Sequence, residues 1–86
     1  MNEYNKEIND ILVDQLGLGS NYDIKPEQTI VDDLGADDLD SIEVLMSLEE
    51  QFGLAIPEDD WNKVVTVQDI YDYIDYRLNG GTKWKK

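Results

Sequence analysis

The sequence predicts an all-α fold: a small four-helix bundle with three longer helices, one short helix, and a long loop between the first and second. Three observations support this. Apolar residues recur at helical spacing in three separate stretches, and each of those stretches runs into glycine. No segment of useful length alternates apolar and polar residues as a strand would.

Tyr4, Ile8, Ile11, Leu12 and Leu16 fall on one face of an amphipathic helix over residues 2–16. Gly17 and Gly19 end it, and Leu18 between them is placed to fold back as a hydrophobic contact. Residues 20–37 form a long connection. Ser20, Asn21, Asp23 and Pro26 oppose regular structure there, yet Tyr22, Ile24, Ile30, Val31 and Leu34 are apolar. That mixture predicts a loop pinned across the bundle, with a short turn at residues 26–28.

Gly35 supplies a sharp turn, after which Asp37 and Asp38 offer carboxylates to the free N–H groups of a second helix over residues 38–52. Leu39, Ile42, Val44, Leu45, Met46, Leu48 and Phe52 make its apolar arc so wide that most of its circumference is expected to be buried. Asp40, Glu43, Ser47, Glu50 and Gln51 form the wet side, with Glu49 at its border, and Gly53 breaks the helix. Pro57 and the acidic residues after it open a short third helix that ends near Val64. Thr66 caps the fourth, whose Val67, Ile70, Tyr71, Ile74 and Leu78 repeat at helical spacing until Asn79-Gly80-Gly81. The domain is thus expected over residues 1–79, followed by a mobile tail at 80–86. Within that tail, Trp84 is either without a fixed place or turned toward a partner.

Twenty acidic residues stand against seven basic ones, a net charge of −13. Three of the basic residues (Lys83, Lys85 and Lys86) sit in the last four positions, so residues 1–82 carry four basic side chains against all twenty acidic ones. Such a surface repels nucleic acid and anionic membrane and suits partners with basic patches. The 41% hydrophobic content, regularly spaced, opposes intrinsic disorder. There is no Cys, apolar runs are too short for a membrane span, and the polar N-terminus does not resemble a signal peptide. A soluble, cytoplasmic, monomeric protein is the expectation. With neither His nor Cys, and no basic residue near the acidic turn to build a nucleophile–base pair, catalysis is not expected. Asp32, Asp33, Asp37, Asp38 and Asp40 do not follow the spacing of an EF-hand loop, so divalent cations are expected to relieve charge without a dedicated metal site.

The run Asp32-Asp33-Leu34-Gly35-Ala36-Asp37-x-Leu39-Asp40, continued by Ile42-Glu43-Val44-Leu45-Met46-Ser47-Leu48-Glu49-Glu50-Gln51-Phe52, resembles the acyl carrier protein family. Phe52-Gly53-Leu54-Ala55-Ile56-Pro57-Glu58-Asp59-Asp60 and Thr66-Val67-Gln68-Asp69 extend the resemblance, which covers about residues 3–78. In that family x is the serine that receives 4′-phosphopantetheine; here x is Asp38. The flanking Leu34-Gly35-Ala36, Met46, Glu49, Glu50 and Phe52 fix the register. A carboxylate is a weaker nucleophile than the activated serine, and its product would be an acyl phosphate, a mixed anhydride that water cleaves. Asp38 is therefore not expected to hold a permanent arm, although it keeps a negative charge at a helix N-terminus.

Three readings stay open: a carrier-like protein that never bears an arm, a carrier whose serine has been replaced, and a carrier armed elsewhere. Ser41 is the nearest hydroxyl, but it stands almost one turn further into the helix and reads better as a surface residue. The resemblance implies that Asp37, Asp40, Glu43, Glu49 and Glu50 dock basic patches on synthases, acyltransferases or a phosphopantetheinyl transferase. It also implies an interior, formed by Ile42, Leu45, Met46, Ile56, Val64, Ile70 and Ile74, that shelters an acyl chain once an arm is present. The implied function is acyl presentation in fatty-acid or polyketide synthesis; the alternative is an interaction or regulatory module built on the carrier surface.

Overall fold

Helices form where the periodic stretches stand: α1 (Asn5–Leu16), α2 (Asp38–Phe52), α3 (Glu58–Trp61) and α4 (Val67–Asn79). The computed structural model describes residues 4–80 and residue 84; the expected first turn of the first helix at residues 2–3 lies outside them. Gly17 ends α1 with a φ of 64°, a left-handed conformation that costs a side-chain-bearing residue more than glycine. The Leu18 N–H then returns to the Val13 carbonyl at 3.0 Å, and Leu18 packs half-buried against the core, as the sequence predicts.

The core is drawn from three helices. Ile8 and Leu12 of α1, Val44 and Leu48 of α2, and Ile70 and Ile74 of α4 are almost wholly removed from water. Full burial of such side chains stabilises by roughly 1.5–3 kcal/mol each. Tyr4 meets Phe52 edge-on at 5.6 Å and joins the start of α1 to the end of α2.

The expectation that most of α2 is buried is corrected by the structure. Leu39, Ile42 and Met46 are 64%, 51% and 59% exposed. The cause is length: α2 has 15 residues and spans roughly 22 Å at the α-helical rise, whereas α3 has four residues and spans only about 6 Å. α3 is too short to cover the side of α2 that faces away from α1. Two residues expected in the interior, Ile42 and Met46, therefore lie at the surface.

The long connection is pinned, as expected, and its anchors are Ile24, Ile30, Leu34 and Ala36, all buried. Tyr22 and Val31 face solvent. The pin is also made of backbone. Ile30 N–H donates to the Val65 carbonyl, Val67 N–H to that of Gln28, and Gln68 N–H to that of Pro26, all within 2.9–3.0 Å. Thr29 and Thr66 form an antiparallel bridge between these segments. The far side of this tie is fixed by Asp69, 8% exposed, whose Oδ2 accepts from Val65 N–H at 2.8 Å and Thr66 N–H at 3.0 Å. Thr66 Oγ1 in turn accepts from Asp69 N–H, completing a capping box at the start of α4.

Trp84 departs from the expectation of a tail residue without packing. Its ring lies edge-on to Tyr73 with centroids 4.7 Å apart, and it is buried with the core. A single aromatic ring beyond a glycine break carries no periodicity, so the sequence could not announce this contact. The expected mobility of residues 81–83 and 85–86 lies outside the described residues.

Candidate functional site

The chain turns into α2 through a closed loop. Thr29 and Asp33 clasp each other, Thr29 N–H donating to Asp33 Oδ2 at 2.8 Å and Asp33 N–H to Thr29 Oγ1 at 3.0 Å. Gly35 follows with a φ of 77°, and Ala36 N–H donates back to the Ile30 carbonyl at 3.1 Å. This geometry delivers Asp37 to the N-cap in an extended conformation. Asp37 Oδ1 accepts from Asp40 N–H at 2.8 Å, and Asp40 Oδ2 accepts from Asp37 N–H at 3.3 Å. Both carboxylates thus stabilise the helix start, where the dipole also favours their charge.

Asp38 is the first residue of α2 and is exposed. Among the described residues, no hydrogen bond or ion pair engages its side chain. Ser41 stands one turn further on, half-buried, with its N–H donating to the Asp37 carbonyl at 2.9 Å. Its position is inside the formed helix rather than at the turn.

The other residues expected to meet partners divide into two kinds. Glu43 and Glu50 are exposed on α2. Glu49 is half-buried, and its Oε2 accepts from the Ile56 N–H at 2.7 Å, which secures the loop between α2 and α3. Glu49, Asp37 and Asp40 therefore have structural work as well as charge. At about 100° per residue, Glu43 and Glu50 border one side of the exposed Leu39–Ile42–Met46 stripe, and Asp38 and Glu49 border the other. The sequence puts all three on the apolar arc of α2, and Ile42 and Met46 among the residues expected in the interior. Their signal was present in an apolar arc too wide for the helices available to cover it.

Beside this face, a cleft of about 490 Å³ opens between α2 and α3, lined by Asp38, Ser41, Ile42, Leu45, Trp61 and Val64, among others. A smaller cleft of about 170 Å³ adjoins it through Ser41, Trp61 and Val64 and reaches the exposed Val31 and Val65. A wider open groove of about 990 Å³ runs between α1 and residues 17–24 and includes none of the residues at the α2 entry. The entry of α2, with its apolar, acid-bordered face, holds the residues that the sequence singles out and is the candidate site. Among the described residues no three acidic side chains gather closely enough to hold a metal ion. Within the acidic run of residues 32–40, Asp33 serves the clasp with Thr29, and Asp37 and Asp40 serve the α2 capping box.

Comparison with known proteins agrees with this architecture. Residues 6–74 match the phosphopantetheine attachment site family, PP-binding. The fold superposes on a Mycobacterium tuberculosis protein described as a candidate acyl carrier protein, with a TM-score of 0.80 and 30% identity, over 86% of this chain and 97% of the other. The family match spans most of the sequence and the helical geometry is held in common; the chain belongs to the phosphopantetheine-attachment family and has the acyl carrier protein fold.

Proposed function

We propose that this chain is an acyl-carrier-type domain that acts by being recognised rather than by catalysis, and that Asp38 leaves it without a covalent 4′-phosphopantetheine arm. The observation that supports the reading is a carboxylate, exposed and first in α2; the resemblance of the surrounding run aligns it with the family's attachment serine. The residues present do not fit the group. A phosphodiester needs an alcohol oxygen, and a carboxylate would give a mixed anhydride prone to hydrolysis. Ser41 has the alcohol, but it lies within a formed turn of helix and half out of solvent.

Recognition rests on the α2 face. Leu39, Ile42 and Met46 offer apolar contact, and Glu43, Glu50 and Asp38 border them with negative charge. The partners are basic patches on synthases, acyltransferases or a phosphopantetheinyl transferase. The carboxylates act mainly on association rate and lose influence as salt rises, while the apolar stripe supplies the desolvated centre. Acyl presentation in fatty-acid or polyketide synthesis is the setting in which this surface would serve.

The test is incubation of the protein and of Asp38→Ser with coenzyme A and a phosphopantetheinyl transferase, read by intact mass. The proposal expects no change for the protein and a gain of one arm for Asp38→Ser. An arm on the unaltered chain would overturn it. If Asp38→Ser also stays unmodified, transferase recognition is absent too, and the domain is an interaction module rather than a carrier without its hydroxyl.

A further inference from the structure

α3 is the shortest helix of the fold. None of its four residues is fully buried, and Trp61 packs half-buried against the core. One link to α4 runs through Asp60, whose Oδ2 accepts from the Tyr73 hydroxyl at 2.8 Å. The Arg77 guanidinium donates to the same hydroxyl oxygen. Arginine only donates, so the hydroxyl proton is left to point at Asp60, and the three groups form a directed chain. Tyr73 is 1% exposed, and Trp84 forms part of the wall that keeps it dry. Tyr73, on which Trp84 rests, stands seven residues before the α4 C-cap Gly80, roughly 10 Å back along the helix axis.

We infer that Trp84 is a C-terminal latch: seated on Tyr73, it shields the Asp60–Tyr73–Arg77 chain from water and so holds α3 in place, and its departure loosens α3 and opens the α2–α3 cleft beside Asp38. The physical basis is the screening of a charge-assisted hydrogen bond. Water reaching the Tyr73 hydroxyl competes for Asp60 and weakens the link. Trp61, immediately after Asp60, and Val64 line the cleft, so motion of α3 is motion of its wall.

Native-state amide hydrogen exchange on the full chain tests this. In Trp84→Ala, exchange at Trp61, Asn62 and Val64 is expected to accelerate about tenfold, the equivalent of one such hydrogen bond, while Leu12 and Leu48 keep their protection. Trp84→Phe, which restores an aromatic edge over Tyr73, is expected to recover most of the protection. Asp60→Ala cuts the chain without touching Trp84 and is expected to free the same amides. Unchanged exchange at residues 61–64 in Trp84→Ala overturns the latch. So does an equal loss at Leu12 and Leu48, which would make Trp84 an ordinary core residue. Should Trp84→Ala not fold, Asp60→Ala that leaves residues 61–64 protected overturns it instead.

Discussion

Replacing Asp69 by alanine is expected to be far more damaging than replacing the capping aspartate of α2. Asp69 Oδ2 takes two backbone N–H groups, from Val65 at 2.8 Å and Thr66 at 3.0 Å, in a setting only 8% exposed. Hydrogen bonds to a charged acceptor contribute about 1.5–3 kcal/mol each, and removing the acceptor strands both donors. Discounting for the water that would enter, the loss is about 3 kcal/mol. A domain of 86 residues has roughly 4–13 kcal/mol in total, so this is a large share. The Tm should fall by roughly 12–24 °C, at about 4–8 °C per kcal/mol for a domain of this size. Asp37→Ala removes one exposed cap bond, to Asp40 N–H, and should cost only about 1 kcal/mol. Asp69→Asn keeps one carbonyl acceptor and should fall between the two. Thermal and urea unfolding of the three variants give the order directly. If Asp69→Ala is no worse than Asp37→Ala, the buried capping box does not hold the α4 entry as argued.

Alkaline pH should unfold the protein through two tyrosines. Burial raises both the Tyr71 and Tyr73 hydroxyls above the usual tyrosine value, with Asp60 adding to the rise at Tyr73. The folded chain thus keeps protons that the unfolded chain has released, and stability falls as pH climbs above about 10. Tm measured against pH should decline there, and Tyr73→Phe should flatten the decline; a slope unaffected by that substitution refutes the assignment. Salt acts in the opposite direction, because residues 1–82 hold four basic against twenty acidic side chains. Raising NaCl from about 0.01 to about 0.5 M shortens the screening length severalfold and should raise Tm, whereas a fall would show that self-repulsion is not the leading electrostatic effect.

Local chemistry made much of the fold legible. The bounds of α2 at Asp38 and Phe52, the Thr66 cap, and the glycines that close α1, α2 and α4 are all expressed in residues adjacent to the event they control. What stayed hidden depends on contacts between distant residues. The tie between residues 26–30 and 65–68 is made by main-chain groups, which every residue possesses, so no side-chain pattern marks it. The exposure of Leu39, Ile42 and Met46 depends on how little of α2 the four-residue α3 can cover, a matter of neighbouring element length and not of the α2 sequence. At the site, the identity of residue 38 was readable, but the half-buried bond from Ile56 to Glu49 was not. The resemblance implies a docking role for Glu49, and nothing in it marks the bond that ties Glu49 to the loop.

The tie between residues 26–30 and 65–68 also sets an order of events during synthesis. The loop that positions Asp37 takes its outer support from amides and carbonyls of residues 65–68, which leave the ribosome well after the loop itself. α1 and α2 can pair earlier, yet the corner carrying Asp38 acquires its final shape only when the fourth helix has begun. A partner that selects this corner by shape would therefore find it only on chains in which residues 65–68 have been made and paired, and would pass over shorter nascent ones.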